Sequence, residues 1–142
     1  MLFRSMTMPA GKMYVGDLCY VMHDCWDEVC DLLFANRNDH NCNQGEFNLK
    51  DGRRFAIFNT SYGDGTYYSN VPGQSFPVDS GSIGCILVSD IKDETADIND
   101  GCVVDFDKDF ECDSDGSTLT FGHIEIYTGD DSYEYDDEYD ED

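Results

Sequence analysis

The sequence predicts an α+β fold, a mainly antiparallel twisted sheet of about seven strands with one helix packed on one face. Two observations predict it. Short apolar or alternating stretches follow one another, and turn residues such as Asp51-Gly52 separate them. One segment, at about residues 24–34, spaces its apolar side chains as a helix does. The 142-residue chain is 40% hydrophobic, enough to bury a core, so we expect a single α+β domain over residues 13–128.

The first elements are a strand and the helix. Residues 13–22 are predicted to form a strand that is broken or bulged at Gly16-Asp17. Asp24 then suits the N-cap of the helix, because its carboxylate can accept a hydrogen bond from the first turn. The expected apolar face of the helix comprises Trp26, Val29, Cys30 and Leu33.

Residues 46–60 form the clearest predicted hairpin, with its turn at Gly52. A two-residue turn would set Phe47 opposite Ala56, whereas a three-residue turn with Gly52 in a left-handed bulge sets Phe47 opposite Phe55. We favour the bulged turn, because it brings apolar side chains of both strands to one face. These side chains are Phe47, Leu49, Phe55 and Ile57.

The remaining strands are short. Residues 66–69 and 75–78 are predicted to be two strands joined by a turn. Residues 83–88 are apolar without alternation, which is typical of a central strand that is covered on both faces. Residues 103–112 and 118–128 are predicted to be the last two strands and to complete the sheet.

The charge of the chain restricts its partners. Thirty-one Asp and Glu residues against eight Lys and Arg give a formal net charge of −23. Such a surface repels phosphate groups, so we expect no direct binding to nucleic acid or to an anionic membrane. No apolar run has the length of a membrane span or a signal peptide, and the seven cysteines include no CxxC pair. We therefore expect a cytoplasmic protein with reduced thiols.

The two ends of the chain differ from the rest. Residues 1–12 are predicted to be an N-terminal arm, since the protein could start at Met6, Met8 or Met13 as well as at Met1. Residues 129–142 form an acidic, tyrosine-rich tail that contains nine acidic residues and no base. This tail cannot bury enough apolar surface to offset its chain entropy, so we expect it to be disordered.

The acidic segment, residues 105–115, has an acidic residue at every odd position. In one continuous strand all six carboxylates would lie on a solvent-exposed face, with Phe106 and Phe110 pointing into the core. Carboxylates about 6.6 Å apart would roughly match a row of phosphates, so the segment could mimic a nucleic acid; an ordinary solvated strand face is the alternative. The six residues are Asp105, Asp107, Asp109, Glu111, Asp113 and Asp115.

Three loops combine glycine with aspartate, at residues 16–17, 63–65 and 79–81. Either each is only a turn, in which glycine adopts positive φ and aspartate caps amides, or the fold brings the three loops together in a cleft. A carboxylate cleft could bind Mg²⁺ or Ca²⁺ or act as a general acid and base. We assign no cofactor, metal ligand or catalytic residue, because no nucleophile is evident. The candidate cleft residues are Asp17, Tyr62, Asp64, Asp79 and Ser80.

Three motifs resemble those of a family of small uncharacterised proteins from bacteriophages, bacteria and marine viruses. The motifs are Tyr14–Tyr20 (YVGDLCY), Phe58–Tyr67 (FNTSYGDGTY) and Phe76–Cys85 (FPVDSGSIGC). They follow the family's order of Gly-Asp, TxYGDGxY and VDxGxIG, and the resemblance covers about residues 13–90. Because the family has no known activity, the resemblance implies origin and fold, and it implies that the three loops are a common feature of the group.

These features favour a viral, phage-type accessory binding protein. It would present its acidic surface, as a mimic of nucleic acid, to a basic host protein in the host cytoplasm, for example one that binds nucleic acid. Two alternatives stay open. One is a small metal-dependent or hydrolase-like enzyme with a carboxylate site at the Gly-Asp loops, and the other is a virion or structural component. We favour binding over catalysis, because the sequence carries no strong catalytic signature.

Overall fold

The structure, a computed structural model, has eleven β-strands and one α-helix in the residues that it describes. These residues are 4–34, 45–60, 63–115 and 117–128. The strands are β1 (Arg4–Met8), β2 (Gly11–Gly16), β3 (Gly45–Asn48), β4 (Arg54–Asn59), β5 (Gly65–Ser69), β6 (Ser75–Val78), β7 (Ser82–Leu87), β8 (Cys102–Phe106), β9 (Phe110–Ser114), β10 (Thr118–Phe121) and β11 (Ile124–Tyr127).

The helix, α1, spans Trp26–Phe34 and follows a 3-10 turn at His23–Cys25. The helix predicted at about residues 24–34 therefore exists, but the α-helical part starts at Trp26. The predicted N-cap, Asp24, lies inside the 3-10 turn, and its carboxylate is 3.1 Å from the Arg53 guanidinium. This ion pair ties the start of the helix to the hairpin that contains β3 and β4. Three further 3-10 turns lie at Leu18–Tyr20, Val88–Asp90 and Ile98–Asp100.

The strands form two antiparallel sheets rather than one. The six-stranded sheet has the order β1-β9-β10-β11-β5-β6, and the five-stranded sheet has the order β3-β4-β7-β2-β8. The predicted α+β class and the antiparallel pairing are confirmed, whereas the prediction of about seven strands in one sheet is wrong. Apolar alternation marks a strand, but it does not tell which sheet that strand will join.

Two apolar cores lie on opposite faces of the five-stranded sheet. Met13 and Val15 of β2 belong to the first core, together with side chains of the six-stranded sheet such as Phe121. Tyr14, which lies between them, belongs to the second core with Val29 of α1. Because successive side chains of a strand point to opposite faces, the five-stranded sheet buries both of its faces.

Strand β7 is the middle strand of the five-stranded sheet and pairs with β4 and β2. Its side chain Ile83 lies in the first core and Ile86 lies in the second. The prediction that residues 83–88 form a central strand covered on both faces is therefore confirmed, and the continuous apolar run is explained by burial on both sides.

One bent ribbon of two strands connects the sheets. β1 pairs with β9 in the six-stranded sheet, and β2 pairs with β8 in the five-stranded sheet. Because β1 leads into β2 and β8 leads into β9, the paired strands turn the corner together. The prediction of a single strand over residues 103–112 is therefore wrong. The strand is interrupted at residues 107–109, where Lys108 takes the place of an apolar residue in the alternating pattern.

The strand predicted at residues 118–128 is a hairpin instead, formed by β10 and β11 with its turn at Gly122-His123. Gly122 has a φ of +64°, and a Cβ at this position would lie 2.5 Å from the ring of Phe106. Both the backbone conformation and the close approach therefore require glycine here. The single glycine within an apolar stretch was the signal for this turn.

The predicted N-terminal arm, residues 1–12, is wrong for the part that the structure describes, because β1 pairs with β9 and β2 pairs with β7 and β8. Met8 is buried in the first core, and Met6 packs against it. These methionines contribute apolar surface to the core. The prediction missed this role because it interpreted them as possible start residues. The tail, residues 129–142, lies outside the described residues, and its disorder stays a prediction.

The hairpin predicted at residues 46–60 is confirmed in register. Phe47 pairs opposite Phe55, and Gly52 has a φ of +98°, as the bulged turn requires. The rings of Phe47 and Phe55 stack with their centroids 5.7 Å apart. The hydrophobic pattern therefore selected the correct one of two turn lengths.

Candidate functional site

Two of the three Gly-Asp loops meet at the carboxylate of Asp17, a residue with 0% exposure. Its Oδ2 atom accepts hydrogen bonds from the backbone amides of Asp79 (2.7 Å) and Ser80 (2.8 Å). Its Oδ1 atom accepts hydrogen bonds from the Ser80 hydroxyl (2.7 Å) and from the backbone amide of Cys19 (2.9 Å). We call these four residues the Asp17 junction. It joins the end of β2 to the loop between β6 and β7.

The four donors occupy the acceptor positions of the Asp17 carboxylate. A carboxylate offers about four lone-pair sites, and here three backbone amides and one hydroxyl fill them. Such donors compensate the loss of water around a buried charge. No lone pair remains for a metal ion or for a proton to be moved in a reaction. Asp17 therefore acts on the fold, by fixing two loops to each other.

The third Gly-Asp loop lies beside the second. The hydroxyl of Thr60 donates a hydrogen bond to the carbonyl of Gly63 (2.7 Å), and its backbone amide donates one to the carbonyl of Gly81 (3.0 Å). A Cβ built on Gly81 would lie 3.9 Å from a carboxylate oxygen of Asp64. The structure thus places the loops of Asp64 and Asp79 next to each other, while Tyr62 lies outside the described residues.

Tyr20 also belongs to this site, although it was not among the predicted cleft residues. Its hydroxyl donates a 2.7 Å hydrogen bond to Asp79. Burial, followed by this hydrogen bond and the charge of Asp79, raises the pKa of Tyr20 well above its usual value. The motif YVGDLCY contained the signal, because a residue three positions after Asp17 returns to the same loop cluster.

Cys19 of the Asp17 junction carries a thiol that could act as a nucleophile, and its surroundings oppose ionisation. Burial, and then the charge of Asp17, raises the pKa of the Cys19 thiol far above its usual value, and Asp79 and Asp64 add to this effect. A nucleophilic cysteine requires the opposite, a lowered pKa beside a positive group. Within residues 4–34, 45–60, 63–115 and 117–128, no cluster of three His, Cys, Asp or Glu side chains is placed to hold a metal ion.

The acidic segment is divided between two sheets and two turns. Asp105 lies on β8, Asp107 and Asp109 lie in the corner turn, Glu111 and Asp113 lie on β9, and Asp115 lies in the turn before β10. The prediction that six carboxylates form one row along a single strand is therefore wrong. The physical reason is the bend of the ribbon, which changes the direction of the chain between Phe106 and Phe110.

The apolar side of the segment behaves as predicted. Phe106 and Phe110 are buried, with exposures of 8% and 7%, and their rings stack with centroids 3.7 Å apart. This stack holds the two ends of the corner turn together on their buried side. Four acidic residues of the segment are exposed at this corner, and we call them the acidic corner: Asp105, Asp107, Asp109 and Glu111.

The carboxylates of the segment differ in their local partners. Asp109 accepts a hydrogen bond from the backbone amide of Ala10 (3.0 Å) and so helps to fix the bend. Hydrogen bonds from the backbone amides of Ser117 (2.9 Å) and Thr118 (2.8 Å) lower the pKa of Asp115. Asp113 shows the opposite shift, because its partial burial and then the charges of Asp115 and Glu111 raise its pKa.

Arg53 and Arg54 form ion pairs with acidic residues outside the acidic corner. Arg53 is buried and contacts Asp24 (3.1 Å) and Asp51 (3.0 Å), and its hydrogen bonds lower the pKa of Asp51 to about 2. Arg54 forms an ion pair with Glu46 and donates a 2.6 Å hydrogen bond to the carbonyl of Thr7 on the edge strand β1. These two arginines therefore do not neutralise the acidic corner, whereas Lys108 lies in the corner turn and Lys12 pairs opposite Asp105.

Comparison of the chain with models of known protein families found no match. Comparisons with curated proteins and with solved structures also found no match. In the part of the chain that the structure describes, no helix has the length and apolar character needed to cross a membrane.

Proposed function

We propose that this protein is a viral, phage-type accessory protein that binds a basic host protein in the host cytoplasm through its acidic corner. The observation that carries the proposal is the corner itself. Four exposed carboxylates lie on a bend of the chain that a buried aromatic stack holds in place. The corner also contains Lys108 and faces Lys12, which pairs opposite Asp105, so four acids stand against two bases. A fixed cluster with this excess of negative charge attracts a basic surface and orients it during the encounter.

The shape of the corner bears on the kind of partner. The carboxylates are distributed around a bend rather than along a line with constant spacing. This arrangement favours a basic patch or a cluster of Lys and Arg side chains on a protein, and it makes a literal copy of a phosphate backbone unnecessary. A nucleic-acid-binding protein stays the preferred partner class, because such proteins expose basic patches of this kind.

The Asp17 junction supports binding over the enzymatic alternative. Its carboxylate has no free acceptor position, and the thiol beside it has a raised pKa. The convergence of the Gly-Asp loops is accounted for by their mutual hydrogen bonds. The resemblance of its three motifs to phage and marine-virus proteins supports a viral origin of the protein.

The test is capture from a host lysate with the immobilised full chain, followed by titration of each captured, purified protein. The test variant carries Asp105→Asn, Asp107→Asn and Glu111→Gln, which leaves the bond from Ala10 to Asp109 intact. The matched control carries Asp27→Asn, Asp31→Asn and Glu94→Gln, three exposed acids elsewhere on the surface. Both variants change the net charge equally, so only the location of the charge differs.

We expect the captured partner to be basic and its affinity to fall steeply with salt. At low salt the corner variant should bind about tenfold more weakly than the wild type, whereas the control should stay within about threefold. Equal losses in the two variants would show that only the net charge matters, and an affinity that is independent of the corner residues would refute the proposal.

A further inference from the structure

Two cysteine thiols from different sheets contact each other in the middle of the first core. Cys85 lies on β7 of the five-stranded sheet, and Cys112 lies on β9 of the six-stranded sheet. Both residues have 0% exposure, and their Sγ atoms are 3.8 Å apart. The two residues are 27 positions apart in the sequence, so the contact is created by the packing of the sheets alone.

The backbone holds both positions firmly. Cys85 pairs with Ala56 on one side and with Val15 on the other. Cys112 likewise pairs with Met6 and Phe121, so both cysteines lie on strands with a neighbour at each side. A disulfide requires an S–S distance of about 2.05 Å, so the sulfurs must approach by less than about 2 Å. Rotations about the two Cα–Cβ bonds, together with an approach of the two sheets, have to supply this movement.

We propose that Cys85 and Cys112 are a redox modification site that closes to an inter-sheet disulfide when the protein meets a small thiol oxidant. With a low-molecular-weight disulfide, one thiolate attacks a sulfur of the oxidant and releases one thiol. The second cysteine then attacks the mixed disulfide and releases the other thiol. Two protein thiols are oxidised to one disulfide, and the oxidant is reduced to two thiols, so atoms and electrons balance.

The surroundings of the pair determine when this reaction occurs. Burial raises the pKa of Cys85, and the reactive species in thiol exchange is the thiolate. Oxidation therefore needs a transient separation of the two sheets, and it is slow while the sheets stay packed together. In a reducing compartment the pair stays a packed pair of thiols, whereas an oxidising medium closes it over time.

Closure would affect a defined part of the chain. The loop between Cys85 and Cys112 contains two 3-10 turns, strand β8 and the corner turn. A bond across this loop restricts the unfolded chain and so stabilises the folded state. It also links β9, which carries Glu111 of the acidic corner, covalently to β7, the middle strand of the five-stranded sheet. The inference does not depend on the proposed partner, because it rests only on the position of two sulfur atoms.

The experiment treats the purified, reduced full chain with diamide a few degrees below its melting temperature. Diamide takes up the two thiol hydrogens at its N=N bond and becomes the hydrazine, so the balance is the same two-electron oxidation. The remaining thiols are then alkylated under denaturing conditions, and peptides are mapped without reduction. We expect a peptide pair linked through Cys85 and Cys112 and a rise in melting temperature of about 5 °C or more, reversed by a reductant.

Three single variants serve as controls. Cys85→Ala and Cys112→Ala should each lose the rise in melting temperature, whereas Cys102→Ala, at a half-buried position on the neighbouring element β8, should keep it. If one core variant does not fold, the other variant and the peptide map of the wild type still decide. Full alkylation of Cys85 and Cys112 after oxidation, or a rise that persists in both core variants, would overturn the proposal.

Discussion

The Asp17 junction and the acidic corner use the same side chain for opposite purposes. Asp17 is fully buried and accepts four hydrogen bonds, three of them from backbone amides. Asp105 and Asp107, at the corner, are exposed to solvent. The role of a carboxylate in this protein therefore depends on the donors around it. Where the backbone supplies donors, the charge is a structural element, and where only water does, it is free to meet a partner.

The comparison extends to the energy of each site. Removing a buried group leaves its donors without partners, and the desolvation of those donors is not recovered. Removing an exposed carboxylate changes the free energy of unfolding little, because water can solvate the groups that the carboxylate contacted. The two regions should therefore respond to substitution in opposite ways, with the stability of the fold depending on Asp17 and partner binding depending on the corner.

The largest effect is expected for Asp17→Asn. The substitution replaces one acceptor oxygen by an NH2 group, which then faces backbone amides or the Ser80 hydroxyl across the junction. We expect the free energy of unfolding to fall by about 3 kcal/mol, as when one member of a buried charged network is removed. Urea unfolding followed by far-UV circular dichroism measures it.

The matched control for that prediction is Asp64→Asn, because Asp64 is an exposed aspartate in the neighbouring Gly-Asp loop. It should change the free energy of unfolding by less than about 0.5 kcal/mol. A loss below about 1 kcal/mol for Asp17→Asn, or equal losses for the two variants, would show that the four hydrogen bonds to the Asp17 carboxylate contribute little to the stability of the fold.

A smaller effect is expected for Asp115→Ala, which tests whether the acidic segment also contains a structural carboxylate. Asp115 accepts hydrogen bonds from the backbone amides of Ser117 and Thr118, and its loss should cost about 1 kcal/mol at pH 7. Its folded-state pKa is lowered, so its stabilising contribution is present above the unfolded pKa of about 3.9 and is lost as pH falls through the folded pKa.

The difference between wild type and Asp115→Ala should therefore be largest at neutral pH and should narrow below about pH 4. Urea unfolding at pH 7 and at pH 3 compares the two proteins. A difference that is equally large at both pH values would mean that the carboxylate charge contributes nothing to the turn.

The smallest effect, with the opposite sign, is expected for Asp113→Asn. Burial and the charges of Asp115 and Glu111 raise the folded-state pKa of Asp113. Its contribution to stability is therefore present below the unfolded pKa and is lost as pH rises through the folded pKa. At pH 7 the ionised group opposes folding, so the neutral amide should stabilise the protein by a few tenths of a kcal/mol.

Differential scanning calorimetry at pH 7 and at pH 3.5 tests this sign. The variant should melt at a slightly higher temperature than the wild type at pH 7, and the gain should vanish at the lower pH. A lower melting temperature of the variant at pH 7 would mean that the hydrogen bond with Thr120 outweighs the repulsion.

The local pattern of the sequence was sufficient where one segment determines its own structure. The helix near Trp26–Phe34, the bulged turn at Gly52 and the doubly covered strand β7 all follow from the spacing of apolar residues and one glycine. The burial of Phe106 and Phe110 follows in the same way. These features follow from the type and spacing of residues within one segment, which the residue order specifies directly, although distant segments supply the partners that cover β7 and the two phenylalanines.

The tertiary structure decided what depends on distant segments. Three features could not be predicted from the alternation of apolar and polar residues. They are the division of the strands into two sheets, the bend that separates Asp105 from Glu111, and the contact of Cys85 with Cys112. Residue order alone predicted the break in the strand at Gly16-Asp17 and the burial of Phe106 and Phe110 between acidic residues. Only packing decided that Asp17 would meet the amides of Asp79 and Ser80, because a carboxylate finds donors so far along the chain only when strand pairing has placed them there.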